Sequence, residues 1–111
     1  MSISLLLRCR DRNETREFYT SILGFEATES AQGALTVSME GGAIIFTALD
    51  LWESELGCSG TIYFTVRDVD AYYEIVKDQA DVAWPLQDMS YGTREFAVTD
   101  CNGYILAFQS E

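Results

Sequence analysis

Short runs of alternating apolar and polar residues divide the first half of the chain into a strand, a helix and three further strands. Gly24 follows the helical run, where a left-handed stop is expected, and Asp11 or Asn13 can cap the start of the helix. The pattern predicts the order β-α-β-β-β, with strands at residues 2–9, 25–29, 34–39 and 43–49 and the helix at residues 14–23.

The second half of the chain predicts the same order of elements after a glycine-containing linker at residues 50–60. Asp68 is expected to cap a helix that runs to about residue 78. Pro85 cannot donate a hydrogen bond to a neighbouring strand, so the strand that contains it is expected at a sheet edge. The predicted strands are residues 61–66, 82–86, 93–99 and 104–109.

The two halves also align with each other, which indicates an internal duplication. Residues 5–18 match residues 62–75 without a gap, so that Arg10 pairs with Arg67 and Asp11 with Asp68. A half-chain repeat predicts two supersecondary units that are stable only together. The predicted fold class is therefore α+β, a single domain of residues 1–111 built from two tandem βαβββ modules, residues 1–49 and 61–111.

Composition and charge exclude several classes of function. The chain of 111 residues has no long apolar run and no signal peptide pattern, and its three separated cysteines form neither a disulfide framework nor a zinc motif, so a cytoplasmic location is expected. A net charge of −11 disfavours nucleic acid and allows a cationic ligand, although acidity also serves plain solubility. The absence of histidine rules out imidazole chemistry.

Two segments resemble the vicinal oxygen chelate superfamily of glyoxalases, bleomycin resistance proteins and extradiol dioxygenases. They are REFYTSILGFE, after a strand ending in LRCRD, and the later YGTREFAVTDCNGYILAF. The resemblance covers essentially the whole chain and implies that the two modules form a cupped mixed sheet. It also implies a homodimer whose two chains complete each binding site.

Metal-using members of that superfamily carry four ligands, commonly His, Glu, His and Glu. Carried over by motif, those positions fall on Ser4, Phe46, Thr61 and Ala107. None of these side chains offers a carboxylate or an imidazole, which are the expected ligands of zinc, nickel, manganese or non-haem iron. We therefore expect neither a metal nor another cofactor, and no residue is assigned as catalytic.

Side chains alternate along strands, so the four positions also predict which residues face the binding surface. Phe46 and Tyr63 could instead complete a core, Trp52 and Trp84 could lie in a core or a dimer interface, and Glu95 could pair with Arg94. The predicted ligand-binding residues are Leu6, Arg8, Ser38, Phe46, Trp52, Thr61, Tyr63, Trp84, Glu95, Ile105 and Ala107.

Three functions remain open at this point. The leading hypothesis is a metal-free protein that binds a small organic molecule, similar to the bleomycin resistance branch, and sequesters a cationic or amphipathic drug in antibiotic resistance. The alternative is an enzyme with relocated metal ligands or an acid-base centre at Glu95, Glu40 or Tyr63. The third is a dimeric interaction module with no small ligand. None of them involves a membrane.

Overall fold

Two four-stranded mixed sheets, each packed against one helix, make up the computed structural model, which describes residues 4–30 and 33–111. The chain divides into two compact units, Met1–Leu56 and Gly57–Glu111. Each unit has the order β-α-β-β-β, which confirms the predicted α+β class with two βαβββ modules. Within the described residues, no helix has the length and apolar character needed to cross a membrane.

In the first unit the first and last strands pair in parallel, and the helix follows the first strand. Asp11 caps the helix by accepting hydrogen bonds from the backbone N–H groups of Asn13 at 2.8 Å and Glu14 at 3.1 Å. The helix therefore starts two residues earlier than predicted, and Gly24 stops it with a φ of +76°. The elements are β1 (Leu5–Arg8), α1 (Arg12–Glu17) with a π-helical turn (Phe18–Ile22), β2 (Glu26–Glu29), β3 (Leu35–Met39) and β4 (Gly42–Thr47), in the sheet order β1-β4-β3-β2.

The second unit repeats this arrangement. Asp68 caps its helix by accepting from the N–H of Ala71 at 3.0 Å, as predicted. Pro85 lies in the strand at one edge of the sheet, also as predicted, and the register of that strand shifts on either side of Trp84. The elements are β5 (Thr61–Val66), α2 (Val69–Val76), β6 (Asp81–Asp88), β7 (Arg94–Thr99) and β8 (Ile105–Ser110), in the sheet order β5-β8-β7-β6.

Aromatic side chains fill the layer between sheet and helix in both units. In the first unit Tyr19 from the π-helical turn contacts Phe25 and Phe46, with ring centroids 5.2 and 5.3 Å apart. In the second unit Phe96 and Phe108 pack on each other at 5.3 Å and against Tyr72 of α2. Among the residues that the structure describes, no helix of the same unit covers the opposite face of each sheet, and we call it the open face.

The prediction that Phe46 faces the binding surface is wrong. Ile44 pairs with Val37 and Phe46 with Leu35, and all four side chains are buried on the helix side of the sheet. Phe46 is 0% exposed and packs on Tyr19, so its aromatic ring belongs to the core. The β4 residues on the open face are therefore Ala43, Ile45 and Thr47.

Candidate functional site

A row of four residues crosses the open face of the second sheet. Tyr63 pairs with Ala107, Ala107 with Ala97, and Ala97 with Trp84, so these side chains stand side by side on one face. The row has two small residues in its middle and one aromatic residue at each end. Tyr63 and Trp84 are three strand spacings apart, about 14 Å.

Glu95 lies beside this row and is the hydrogen-bonding centre of the face. Its carboxylate is 0% exposed and accepts hydrogen bonds from three neutral donors. The Tyr91 hydroxyl donates to Oε1 at 2.7 Å, the Thr93 hydroxyl donates to the same oxygen at 3.1 Å, and the Trp84 indole N–H donates to Oε2 at 3.3 Å. Glu95 thereby ties β6 and the β6–β7 turn to the centre of the sheet.

Tyr63 joins the same group from the other edge of the sheet. Its hydroxyl lies 3.5 Å from the hydroxyl of Tyr91, and either of the two hydroxyls can be the donor. Tyr63 and Trp84 reach this group from opposite edges of the sheet, and the two alanines between them in the row, Ala97 and Ala107, are 0% exposed. We call Tyr63, Trp84 and Tyr91 the aromatic platform.

The outer surface of the aromatic platform remains accessible. Tyr63 is 46% exposed and Tyr91 is 60% exposed. Exposed aromatic side chains next to buried polar groups are typical of surfaces that bind organic ligands, because the rings offer contact area and the polar groups orient the ligand.

The negative charge of Glu95 has no cationic partner among the described residues. The nearest cation in sequence, Arg94, belongs to the opposite face, where it bonds to Asp70 at 2.8 Å and Asp88 at 3.2 Å. Those two carboxylates raise the pKa of Arg94, the contact with Asp70 contributing most. The possible charge pair between Arg94 and Glu95 is therefore not formed.

Tyr91 keeps its proton in this arrangement. Its hydrogen bonds with Tyr63 and Glu95 raise the pKa of the Tyr91 hydroxyl, in that order of importance. Ionisation would remove the Tyr91 proton from these hydrogen bonds and place a tyrosinate next to a carboxylate. The aromatic platform thus holds a protonated Tyr91 beside the Glu95 side chain.

The candidate residues of the first unit do not form a comparable cluster. Leu6 is exposed on β1 and Trp52 is 47% exposed in the segment that follows β4. Arg8 donates to the backbone oxygen of Ser54 at 2.8 Å and pairs with Asp50 at 3.5 Å, beside an open depression of about 510 Å³. Ser38 lines a separate depression of about 480 Å³. The register places Leu6, Arg8 and Ser38 on the open face of the first sheet, but Arg8 and Ser38 line different depressions of it.

Two candidates in the second unit share the open face without joining the aromatic platform. Thr61 and Ile105 are paired, half-buried residues one row away from Tyr63 and Ala107. Sequence reasoning missed Tyr91 and Thr93. Thr93 could have been found, because alternation from Glu95 places it on the same face, whereas Tyr91 lies in a turn where alternation does not apply.

The residues at the expected metal positions do not fit a metal. The register pairs Leu6 with Ile45 and Tyr63 with Ala107, so Ile45, rather than Phe46, is equivalent to Ala107. Ser4, Ile45, Thr61 and Ala107 supply two hydroxyls and two apolar side chains, which are not the carboxylate and imidazole ligands such a site needs. Nor do any three His, Cys, Asp or Glu side chains gather into a metal-binding group within residues 4–30 and 33–111.

Sequence and structure comparisons identify the family. The model of the Glyoxalase/Bleomycin resistance protein/Dioxygenase superfamily matches residues 3–108. The chain belongs to this superfamily. No curated protein is significantly similar to it in sequence.

Solved structures show the same fold at low identity. A member of the glyoxalase/bleomycin resistance protein/dioxygenase superfamily from Sphaerobacter thermophilus has a TM-score of 0.84 and 22% identity, with 100% of this chain and 98% of that chain covered. TioX from a Micromonospora species has a TM-score of 0.79 and 21% identity, over 99% and 98% of the two chains. At these identities the likeness establishes the glyoxalase-like fold, while the chemistry has to be argued from this chain's own residues.

Proposed function

We propose that this member of the superfamily is a metal-free protein that binds a small organic molecule on the aromatic platform. The observation that carries the proposal is the set of hydrogen bonds that holds Tyr63, Trp84 and Tyr91 around the buried Glu95. Binding by sequestration requires affinity and no bond-breaking group, and an aromatic surface with a few convergent polar groups supplies affinity. In this proposal the protein belongs to the bleomycin-resistance-like branch.

Two further features support binding over metal-dependent chemistry. The superfamily's metal positions hold Ser4, Ile45, Thr61 and Ala107, none of which is a deprotonable ligand. Three donors hold the Glu95 carboxylate in place, so a bound ligand would meet a surface that is already ordered. An amphipathic drug of the bleomycin type is one ligand that such a surface would accommodate.

Nuclear magnetic resonance of the two indole N–H groups tests this proposal. Chelator-treated, ¹⁵N-labelled protein is titrated with bleomycin and with a set of small amphipathic aromatic compounds. We expect the Trp84 resonance to move while the resonance of Trp52, in the other unit, serves as the internal control. No movement of Trp84 with any compound, or movement only after a divalent metal is added, would contradict the proposal.

The second candidate function is metal-free acid-base catalysis. It is favoured by the hydrogen-bond chain from the buried Glu95 through Tyr91 to the exposed hydroxyl of Tyr63, along which a proton could be transferred. Activity against thiol adducts, diols or epoxides that survives chelation and disappears in Glu95→Gln would establish it. Full activity in Glu95→Gln would exclude this centre.

A further inference from the structure

We infer that the aromatic platform is selective for organic cations, an inference that rests on the proposed binding function and names the ligand class. Its basis is a negative charge beside exposed rings: Glu95 is 0% exposed, Trp84 and Tyr91 donate hydrogen bonds to it, and Tyr63 lies within hydrogen-bond distance of Tyr91. All three groups that bond to the carboxylate are neutral.

The rings and the carboxylate both attract a positively charged ligand. The face of an aromatic ring carries partial negative charge and attracts a cation placed over it. A buried carboxylate adds a longer-range attraction that the low dielectric of the protein screens less than water would. Because Glu95 is not exposed, the ligand would contact the exposed rings of Tyr63 and Tyr91. The carboxylate would attract it electrostatically without touching it.

The state of Tyr91 and the overall charge agree with this preference. Hydrogen bonds to Tyr63 and Glu95 keep Tyr91 protonated, so its hydroxyl stays directed at the carboxylate and its ring remains available. The chain has a net charge of −11, which raises the local concentration of cations and repels anionic ligands. A quaternary ammonium or a protonated amine attached to an apolar body fits these conditions.

Choline and 3,3-dimethyl-1-butanol provide a matched test, because they share one shape and differ by a nitrogen cation in place of a carbon. Binding is followed by Trp84 fluorescence in a Trp52→Phe background, in chelator-treated protein. We expect choline to bind about tenfold more tightly than the neutral alcohol. Equal binding of the two compounds, or no response to choline at millimolar concentration, would overturn the inference.

Substitutions separate the charge from the rings. Glu95→Gln keeps the size of the side chain and should reduce the preference for choline to about twofold or less, with little effect on the alcohol. Glu74→Gln removes the same charge from an exposed position on α2 and should leave the preference intact. A preference for choline that stays near tenfold in Glu95→Gln would overturn the inference.

A second variant covers the case in which Glu95→Gln does not fold. Tyr63→Leu removes one exposed ring and leaves all three donors to Glu95 in place. Choline binding should weaken about three- to tenfold relative to the alcohol, whereas an unchanged ratio would count against the rings. If both compounds bind equally while bleomycin still shifts the Trp84 resonance, the cation preference fails and the proposed binding function stands.

Discussion

At the scale of single residues, the face on which a side chain lies decides its role. Alternation predicted the open-face positions of Tyr63 and Glu95, because polar and apolar residues differ along β5 and β7. It failed on β4, where Ala43, Ile44, Ile45 and Phe46 are apolar at both parities and hydrophobicity cannot distinguish the two faces. Only the pairing register settles that strand.

Substitution of two neighbouring β4 residues tests the corrected register. Phe46→Ala should lower the free energy of unfolding by about 3–5 kcal/mol, because it opens a cavity beside Tyr19. Ile45→Ala should cost clearly less, because Ile45 is only partly buried on the open face. Urea denaturation with a constant m-value provides both numbers. A larger loss for Ile45→Ala would mean that the register is shifted by one residue.

The pKa of Tyr91 gives a second residue-scale prediction. Tyr63 and Glu95 raise this pKa above the ordinary value of 10.0, so their stabilisation of the folded protein is complete below about pH 10 and disappears as the pH rises through the folded-state pKa. Ultraviolet titration should show one late-ionising phenol that is missing in Tyr91→Phe. If Tyr91→Phe instead removed a phenol that ionises near pH 10, the hydrogen-bonding scheme would be contradicted.

At the scale of elements, single residues predicted the helix caps, one helix stop and one edge strand, whereas other features depend on tertiary packing. The capping aspartates, the stop at Gly24 and the edge position of Pro85 each follow from one residue's own chemistry and were predicted correctly. The π-helical turn Phe18–Ile22 was not predicted, since its residues carry the same apolar spacing as an ordinary helix. The β6–β7 turn that brings Tyr91 to Glu95 also depends on long-range packing.

The duplicated caps make a matched pair of substitutions. Asp11→Ala and Asp68→Ala should each lower the free energy of unfolding by about 1 kcal/mol, because each leaves helix N–H groups without an acceptor. Asp78→Ala, an exposed residue after α2, is the control and should change stability by less than about 0.5 kcal/mol. An equal effect of all three substitutions would show that charge, rather than capping, is responsible.

At the scale of the whole molecule, the oligomeric state decides how many chains contribute to the binding site. We propose that it acts as a homodimer, the assembly that its superfamily resemblance implies. Sedimentation at micromolar concentration should then give a species of twice 12.4 kDa. A species of 12.4 kDa under the same conditions would show that the protein works as a single chain.

Native mass spectrometry of freshly purified protein, with and without added Zn²⁺, Ni²⁺ or Mn²⁺, tests the central claim most directly. One spectrum reports the assembly, any bound metal and any organic molecule that remains on the protein. Metal-free binding predicts no stoichiometric uptake of metal, together with an organic adduct whose occupancy does not change when metal is added. One metal per chain, with the organic adduct appearing only in its presence, would contradict the account and favour a metal-dependent enzyme.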